Sequence, residues 1–267
     1  MRIARGITLA GLFFVAGAAA FGSAAHATNL GLYSANDTQE TEFVWLWSEF
    51  DVVSDAHFFE SGAIVALNRD LSRAGFVVYL SGGTGDYEYD SSTAPGGTVD
   101  ADLTILDALL GYQVFTANTR FAAYAGVDWQ DHDLTPKDPS NPVSGSEAGF
   151  IVRGEIETLE ASPFYLSLEG FYSTAYDTYW ARVRPGYRFG NTIIGPEGVF
   201  SGVDESDYNA QRLGGFVSLP IEIKTNVAFY VTAAAGYEWV DQGGGEFGGI
   251  GGSNDSAYGT LTVATSF

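Results

Sequence analysis

The stretch YGTLTVATSF, Tyr258–Phe267, decides the fold. In an extended chain Leu261, Val263 and Phe267 fall on one face and Thr260, Thr262 and Ser266 on the other. Such period-two alternation marks a strand with one apolar and one polar side. The same pattern recurs in Asn226–Tyr237, where Val227, Phe229, Val231, Ala233, Ala235 and Tyr237 oppose Asn226, Ala228, Tyr230, Thr232, Ala234 and Gly236. In Thr178–Phe189, Tyr179, Val183, Tyr187 and Phe189 oppose Arg182, Arg184 and Arg188. The first set of each strand suits a hydrocarbon surface and the second a polar interior.

The other end of the chain carries a different signal. Met1–Ala27 has Arg2 and Arg5 in front, an apolar run centred on Leu9–Ala20, and Ala25-His26-Ala27 as a small-residue cleavage site. That is the layout of a removable export signal. The run is shorter than the roughly 20 residues of a spanning helix. No later stretch is long and apolar enough to span as a helix, so residence in a membrane requires a closed barrel, in which every backbone group is paired. An exported chain with these strands reads as an outer-membrane barrel. The expected organisation is residues 1–27 as signal, 28–42 as a polar periplasmic lead with a turn at Ser34-Ala35-Asn36-Asp37, and 43–267 as barrel.

Composition agrees. Aromatic residues are 15% of the chain and glycine 34 of its 267 residues, both high beside an ordinary soluble domain, while membrane barrels place aromatic residues in girdles at both interfaces. There is no cysteine, which removes disulfides, thiolate metal sites and a cysteine nucleophile. The formal charge is −21, and losing Arg2 and Arg5 with the signal takes it to −23. That balance argues against nucleic-acid binding, which needs clustered lysine and arginine.

Twelve strand-like runs are expected near residues 43–51, 56–67, 75–87, 99–115, 120–131, 147–158, 164–174, 178–189, 193–202, 208–219, 226–240 and 257–267. The fold class is therefore all-β, a membrane-spanning antiparallel up-and-down barrel of about twelve strands. If the chain starts in the periplasm, the external connections are 52–55, 88–98, 132–146, 175–177, 203–207 and 241–256. These include the three longest, as expected of a barrel with long external loops.

Five segments carry a family resemblance: DWQDHDLTPKDPSNPVSGSEAG at Asp128–Gly149, YSTAYDTYWAR at Tyr172–Arg182, RPGYRF at Arg184–Phe189, GPEG at Gly195–Gly198 and QRLGGF at Gln211–Phe216. Together they resemble the BcsS-type cellulose biosynthesis family of alphaproteobacteria, over about Phe43–Phe267. The resemblance implies an outer-membrane barrel linked to cellulose production, with a glucan chain or the cellulose secretion machinery as partner beside membrane lipid. It brings no assigned active site.

Three constellations could carry chemistry. First, Arg153, Glu155 and Glu157 share a strand face, Glu169 shares one with Ser167 and Ser173, Arg182, Arg184 and Arg188 share another, and Glu197 and Arg212 lie on the next two strands. A lipid-facing Arg at mid-depth costs roughly 2–4 kcal/mol, so these side chains are expected inside. The simple reading is a salt-bridge network that shapes the lumen, with Arg182, Arg184, Arg188 and Arg212 pairing with Glu155, Glu169 or Glu197. The sharper reading is a glycan conduit or site, with Tyr165, Phe171, Trp180 and Tyr208 as inward aromatic platforms. Second, Asp131, His132, Asp133 and Asp138 concentrate oxygen ligands of the kind calcium takes. Their spacing lacks the glycine and closing Glu of an EF-hand, and the simple reading is an acidic external loop stiffened by Pro136, Pro139 and Pro142. Third, a Ser–His hydrolase would have to use His57 or His132, and no G-x-S-x-G motif occurs. The adjacent arginines would hold Glu155, Glu169 and Glu197 ionised rather than raise one of them for the general-acid role of a glycosidase pair. No catalytic, cofactor-binding or metal site is assigned. The alternatives to a cellulose-supporting barrel are a lipid-modifying outer-membrane hydrolase and a structural or adhesin-like barrel.

The export signal makes a direct prediction: the mature protein begins at Thr28. N-terminal sequencing of the membrane-fraction protein checks it, and an N-terminus at Met1 would contradict it.

Overall fold

The computed structural model describes residues 42–159, 162–206, 208–222, 228–242 and 255–267. The expected signal and most of the lead, and the greater part of the 241–256 connection, lie outside these residues. The strands are β1 (Val44–Val53), β2 (Ala56–Ala66), β3 (Gly75–Asp90), β4 (Thr98–Phe115), β5 (Thr119–Thr135), β6 (Gly145–Thr158), β7 (Phe164–Ser173), β8 (Thr178–Phe189), β9 (Thr192–Val203), β10 (Tyr208–Glu222), β11 (Ala228–Gln242) and β12 (Ser256–Ser266). Each pairs antiparallel with its chain neighbours, and β1 pairs with β12 to close a twelve-stranded barrel. Among the described residues the only helical element is a single 3₁₀ turn, Asp204–Ser206.

Closure runs in register from Trp45 opposite Ser266 to Val52 opposite Gly259. The Phe43 and Val44 amides donate to the Phe267 carbonyl at 2.6 and 3.1 Å, and the Phe267 amide donates back to Val44 at 2.9 Å. No strand edge is left open, which removes the template for edge pairing that an open sheet exposes.

Alternation sorts the side chains. In β4, Val99, Ala101 and Leu103 are buried inside, while Leu106, Leu110 and Tyr112 face out. The outer face carries large apolar side chains on strand after strand. Leu80, Leu106, Leu110, Val127, Leu168, Leu213 and Leu261 form its middle. Toward the rim that holds Val44 and Ser266 stand Phe76, Tyr112, Phe121, Phe164, Tyr187 and Phe189. Toward the opposite rim stand Phe50, Tyr172, Phe200, Tyr237 and Trp239. Several of these rings touch edge-on, as Phe76–Tyr112 at 5.0 Å and Tyr237–Trp239 at 5.2 Å between centroids.

The strands differ from expectation in one region. β3, β4 and β5 are 16, 18 and 17 residues long and continue into what the sequence suggested were loops. Asp131, His132 and Asp133, expected in an external connection, are the last turns of the pleat in β5. The reason is the inner face of this extension: Tyr87, Tyr89, Val99, Ala101, Leu103 and Leu134 form a buried cluster with Ala94 of the β3–β4 connection. Its outer face is acidic, with Asp86 opposite Asp102, Asp102 opposite Asp133, and Glu88 opposite Asp100. The remaining β5–β6 connection is 136–144, against 67–74 for β2–β3 at the terminal rim, so the contrast in loop length is smaller than expected.

Two inward glycines make room for aromatic rings. A Cβ on Gly62 would collide with the Trp47 indole, and one on Gly111 with the Tyr124 ring. Gly111→Val is expected to destabilise the barrel by about 1–3 kcal/mol by overpacking. Gly215→Ala, whose Cβ would meet nothing closer than 3.6 Å, should leave stability nearly unchanged. Urea midpoints of detergent-refolded protein check both.

Candidate functional site: an ion-paired lumen

Inward parity brings acidic and basic side chains from most of the barrel wall together. Arg120 of β5 donates to Glu155 of β6 at 3.0 Å and to Tyr124 at 2.9 Å. Arg153 bonds Glu155 on its own strand at 3.1 Å and Glu169 of β7 at 2.8 Å. Arg182 of β8 takes the other oxygen of Glu169 at 2.7 Å and reaches both oxygens of Glu49 on β1, at 3.0 and 3.1 Å. Glu49 is completed by the Thr262 hydroxyl at 2.7 Å. Charge-assisted bonds of this kind are roughly twice as strong as neutral ones.

A second set lies beside the first. Arg184 pairs with Glu197 of β9, which also accepts from Tyr258 at 2.9 Å. Arg212 of β10 pairs with Glu238 of β11 and, at 2.7 Å, with Asp51 of β1, which also accepts from Thr260 at 2.8 Å. Arg188 is the exception: it lies over the Tyr165 ring and donates to the Thr158 carbonyl at 2.7 Å, with no carboxylate.

The structure thus gathers Arg153, Glu155, Glu169, Arg182, Arg184, Glu197 and Arg212, and sets Arg188 apart. The partners differ from the expected set for Arg212, which takes Asp51 and Glu238. Adjacent-strand pairing could have indicated Glu238, which stands opposite Arg212 in the β10–β11 register. Asp51 and Glu49 were reachable only by parity, as inward neighbours of Trp45 and Trp47, because β1 lies across the lumen from β8. Arg120 was missed although it shares a face with Tyr124.

The cross-lumen bonds set the barrel's shape. A circular barrel of twelve strands, spaced about 4.8 Å and tilted about 40°, has a backbone diameter of about 24 Å. Extended Arg and Glu side chains with a bond between them span about 15 Å. Since β1 and β8 are five strands apart around the wall, the Arg182–Glu49 pair requires an oval section with its short axis along that pair. The cavity left around the network measures about 350 Å³, near the lower end for small-ligand pockets.

The aromatic platforms are occupied by protein groups. Trp180 has Phe171 stacked at 6.2 Å and the Arg182 guanidinium over its ring at 5.0 Å. Tyr165 lies under Arg188 and against Phe216 at 5.9 Å, and Tyr208 is fully buried.

The acidic quartet separates. Asp131 and Asp133 point outward, where Asp131 meets Ser146 and Asp133 meets Lys137 at 3.1 Å. His132 points inward, fully buried, with its ring nitrogens near the Tyr87 hydroxyl at 3.1 Å and Gln130 at 3.5 Å. Asp138 alone lies in the connection, and its oxygens accept from Thr93, Ser140 and Tyr89. Burial pushes the Asp138 carboxyl up, but the Ser91, Ser140 and Thr93 donors outweigh it and hold the group down at about 2. Its neighbours Asn141 and Val143 are buried too, and Tyr176 of the β7–β8 turn closes over His132 at 5.0 Å. His57 faces outward and contacts Asp86 at 3.3 Å. Among the described residues neither histidine is bonded to a serine hydroxyl, and no three acidic or histidine side chains gather as a metal cluster.

These features define the class: a closed twelve-stranded barrel with an apolar exterior and an ion-paired interior that keeps a cavity of about 350 Å³. The chain belongs to the BcsS family of cellulose biosynthesis proteins, whose family model matches residues 45–267. That membership gives it a role in cellulose biosynthesis. A comparison with curated proteins finds no match.

Two outcomes follow. Arg182→Ala strands Glu49 and half of Glu169, and should cost about 3–5 kcal/mol, whereas Arg73→Ala, at an exposed pair, should cost less than about 1. Denaturant midpoints of the refolded barrel compare them. For Asp138, a folded carboxyl near 2 against an unfolded value near 4 gives stability that is present above about pH 4 and lost as pH falls toward 2. Hydrogen exchange of residues 136–144 should therefore accelerate across that window, and Asp138→Asn should remove the pH dependence.

Proposed function

We propose that the protein is an outer-membrane barrel that supports cellulose production as a fixed membrane element, acting through its rim and loops rather than by passing glucan through its lumen. One observation carries the membrane reading. The outer face is an aliphatic band flanked at both ends by aromatic side chains, with exposed charge among the described residues only beyond those aromatic positions, as at Arg69 and Arg73 on one rim and Asp86, Asp102 and Asp133 on the other. Such a surface supports the reading of a lipid-embedded barrel, since in water that apolar band would stand exposed without a partner. The export signal at 1–27 is consistent with delivery to the outer membrane.

The closed interior bears on mechanism. A glucan chain entering the lumen would have to part Arg182 from Glu49 and Arg212 from Asp51, leaving buried charges unpaired at several kcal/mol each. Two of the inward platforms it would meet, Trp180 and Tyr165, already carry an arginine guanidinium over their rings. The rim opposite the termini, with the acidic edge of β3–β5 and the folded 136–144 connection, is the surface left for secretion machinery or for the emerging polymer. No observation favours the hydrolase reading.

The test is a gene deletion in a cellulose-producing strain, complemented with variants. Wild-type protein should fractionate with the outer membrane and restore dye-scored cellulose. A chain lacking Lys137–Ser144 should fold, shown by heat-modifiable gel mobility, yet fail to restore normal output or surface attachment. In planar bilayers the intact protein should show no large steady conductance. A wide, glucan-blockable channel would overturn the closed-lumen reading, and normal cellulose in the deletion strain would remove the cellulose role.

A further inference from the structure

The lumen arginines are all engaged, and one carboxylate pair receives none of them. Asp107 of β4 and Asp128 of β5 stand directly opposite each other in the ladder, and both point inward. Like charges directly opposite on antiparallel strands repel, and inside this barrel Glu155 and Glu169, also opposite each other, are relieved by sharing Arg153. The charged groups that face Asp107 are instead Asp128 and Glu60, both acidic.

Hydrogen bonding is equally lopsided. Asp107 accepts from Ser81 at 3.1 Å through Oδ2, and Asp128 accepts from Gln130 at 2.8 Å and Ser173 at 2.5 Å, again through Oδ2. No donor reaches Oδ1 of either residue, and both atoms are buried. Asp128 as a whole is only 2% exposed. A buried carboxylate oxygen with neither donor nor counter-charge is costly, and such groups in folded proteins are paired or coordinate a cation. Two such oxygens on facing residues share one missing partner.

We propose that Asp107 and Asp128 hold a hard divalent cation, calcium or magnesium, inside the barrel wall. The two carboxylates supply the balancing charge through their Oδ1 atoms. The hydroxyls of Ser81 and Ser173 lie beside the pair as neutral oxygens, the Gln130 amide N–H holds Asp128 in place, and water completes the shell, as calcium and magnesium sites with few carboxylates allow. Thr178, bonded to Gln130 at 3.4 Å, lines the central cavity and gives the site access to the lumen. The ion does for β4 and β5 what arginine does for the other charged strands. This site is separate from the acidic outer edge, where Asp86, Asp102 and Asp133 face solvent. It does not depend on the cellulose reading.

The experiment uses the full mature chain refolded into detergent with calcium, with magnesium or with EDTA, then exchanged into metal-free buffer. Metal content is read by mass spectrometry and stability by the urea midpoint. Wild type should retain about one equivalent and show a higher midpoint than the EDTA sample. Asp128→Asn and Asp107→Asn should each lose the retained metal and the response to it. Asp86→Asn/Asp102→Asn should keep both, which separates the wall site from loose binding at the acidic edge. If Asp128→Asn fails to fold, Asp107→Asn and Ser81→Ala carry the comparison. Absence of retained metal in wild type, or equal content in the asparagine variants, would overturn the proposal and leave the two carboxylates sharing a proton.

Discussion

One guanidinium joins the two walls of this barrel. Arg182 holds Glu169 beside it and Glu49 across the lumen, and Arg212 makes a parallel link from β10 to Asp51 on β1. Each arginine is largely buried, and the carboxylates and hydroxyls around it offset the cost of taking its charge out of water. Those carboxylates in turn need the arginines. The oval section, the ion-paired interior and the occupied aromatic faces all follow from this mutual dependence. A hydrophobic filling of equal volume could be as stable, but it would carry no information about which wall meets which. The ionic network specifies one arrangement of β1 against β8 and β10.

The exterior obeys the opposite rule. Where the interior matches charge with charge, the outer face carries almost none until the strands pass the aromatic positions near each rim. The long β3–β5 extension shows where that regime ends. Beyond the apolar band the outward residues turn to Asp86, Glu88, Asp100, Asp102, Asp131 and Asp133, while the inward ones stay apolar around Tyr87 and Tyr89. The sheet there has its dry side inside and its wet side outside, the reverse of its middle. A membrane barrel that emerges into water would show that inversion.

Much of this was legible in the chain. Period-two alternation located every strand to within a few residues, and the closed twelve-stranded sheet follows from it. The inward placement of Arg153, Arg182, Arg184 and Arg212 came from the same parity. What parity could not supply was distance across the lumen. Glu49 and Asp51 are separated from their arginines by more than a hundred residues of sequence, and no local pattern links them. The end of β5 was misread because Asp131 and Asp133 have polar, turn-forming side chains. Burial of Leu134 and His132 on the other face overrode that local preference and kept the chain extended. The aromatic platforms were placed correctly by face, but their availability depended on neighbours such as Arg182 over Trp180, which sequence alone does not order.

The position of Glu49 and Asp51 on the first strand also bears on how the barrel is made. These two carboxylates lie on the first strand of the wall, yet the residues that neutralise them, Arg182, Arg212, Thr260 and Thr262, lie in its second half. Without them β1, paired with β2 alone, would present an inner face with two uncompensated charges. Hydrophobic association alone cannot bury that face early at little cost. The β1–β12 seam that seals the wall also brings Thr260 and Thr262 onto Asp51 and Glu49. The seam and the interior contacts therefore depend on each other, and a barrel lacking its final strand would be left open, with Glu49 and Asp51 each short of a hydroxyl donor.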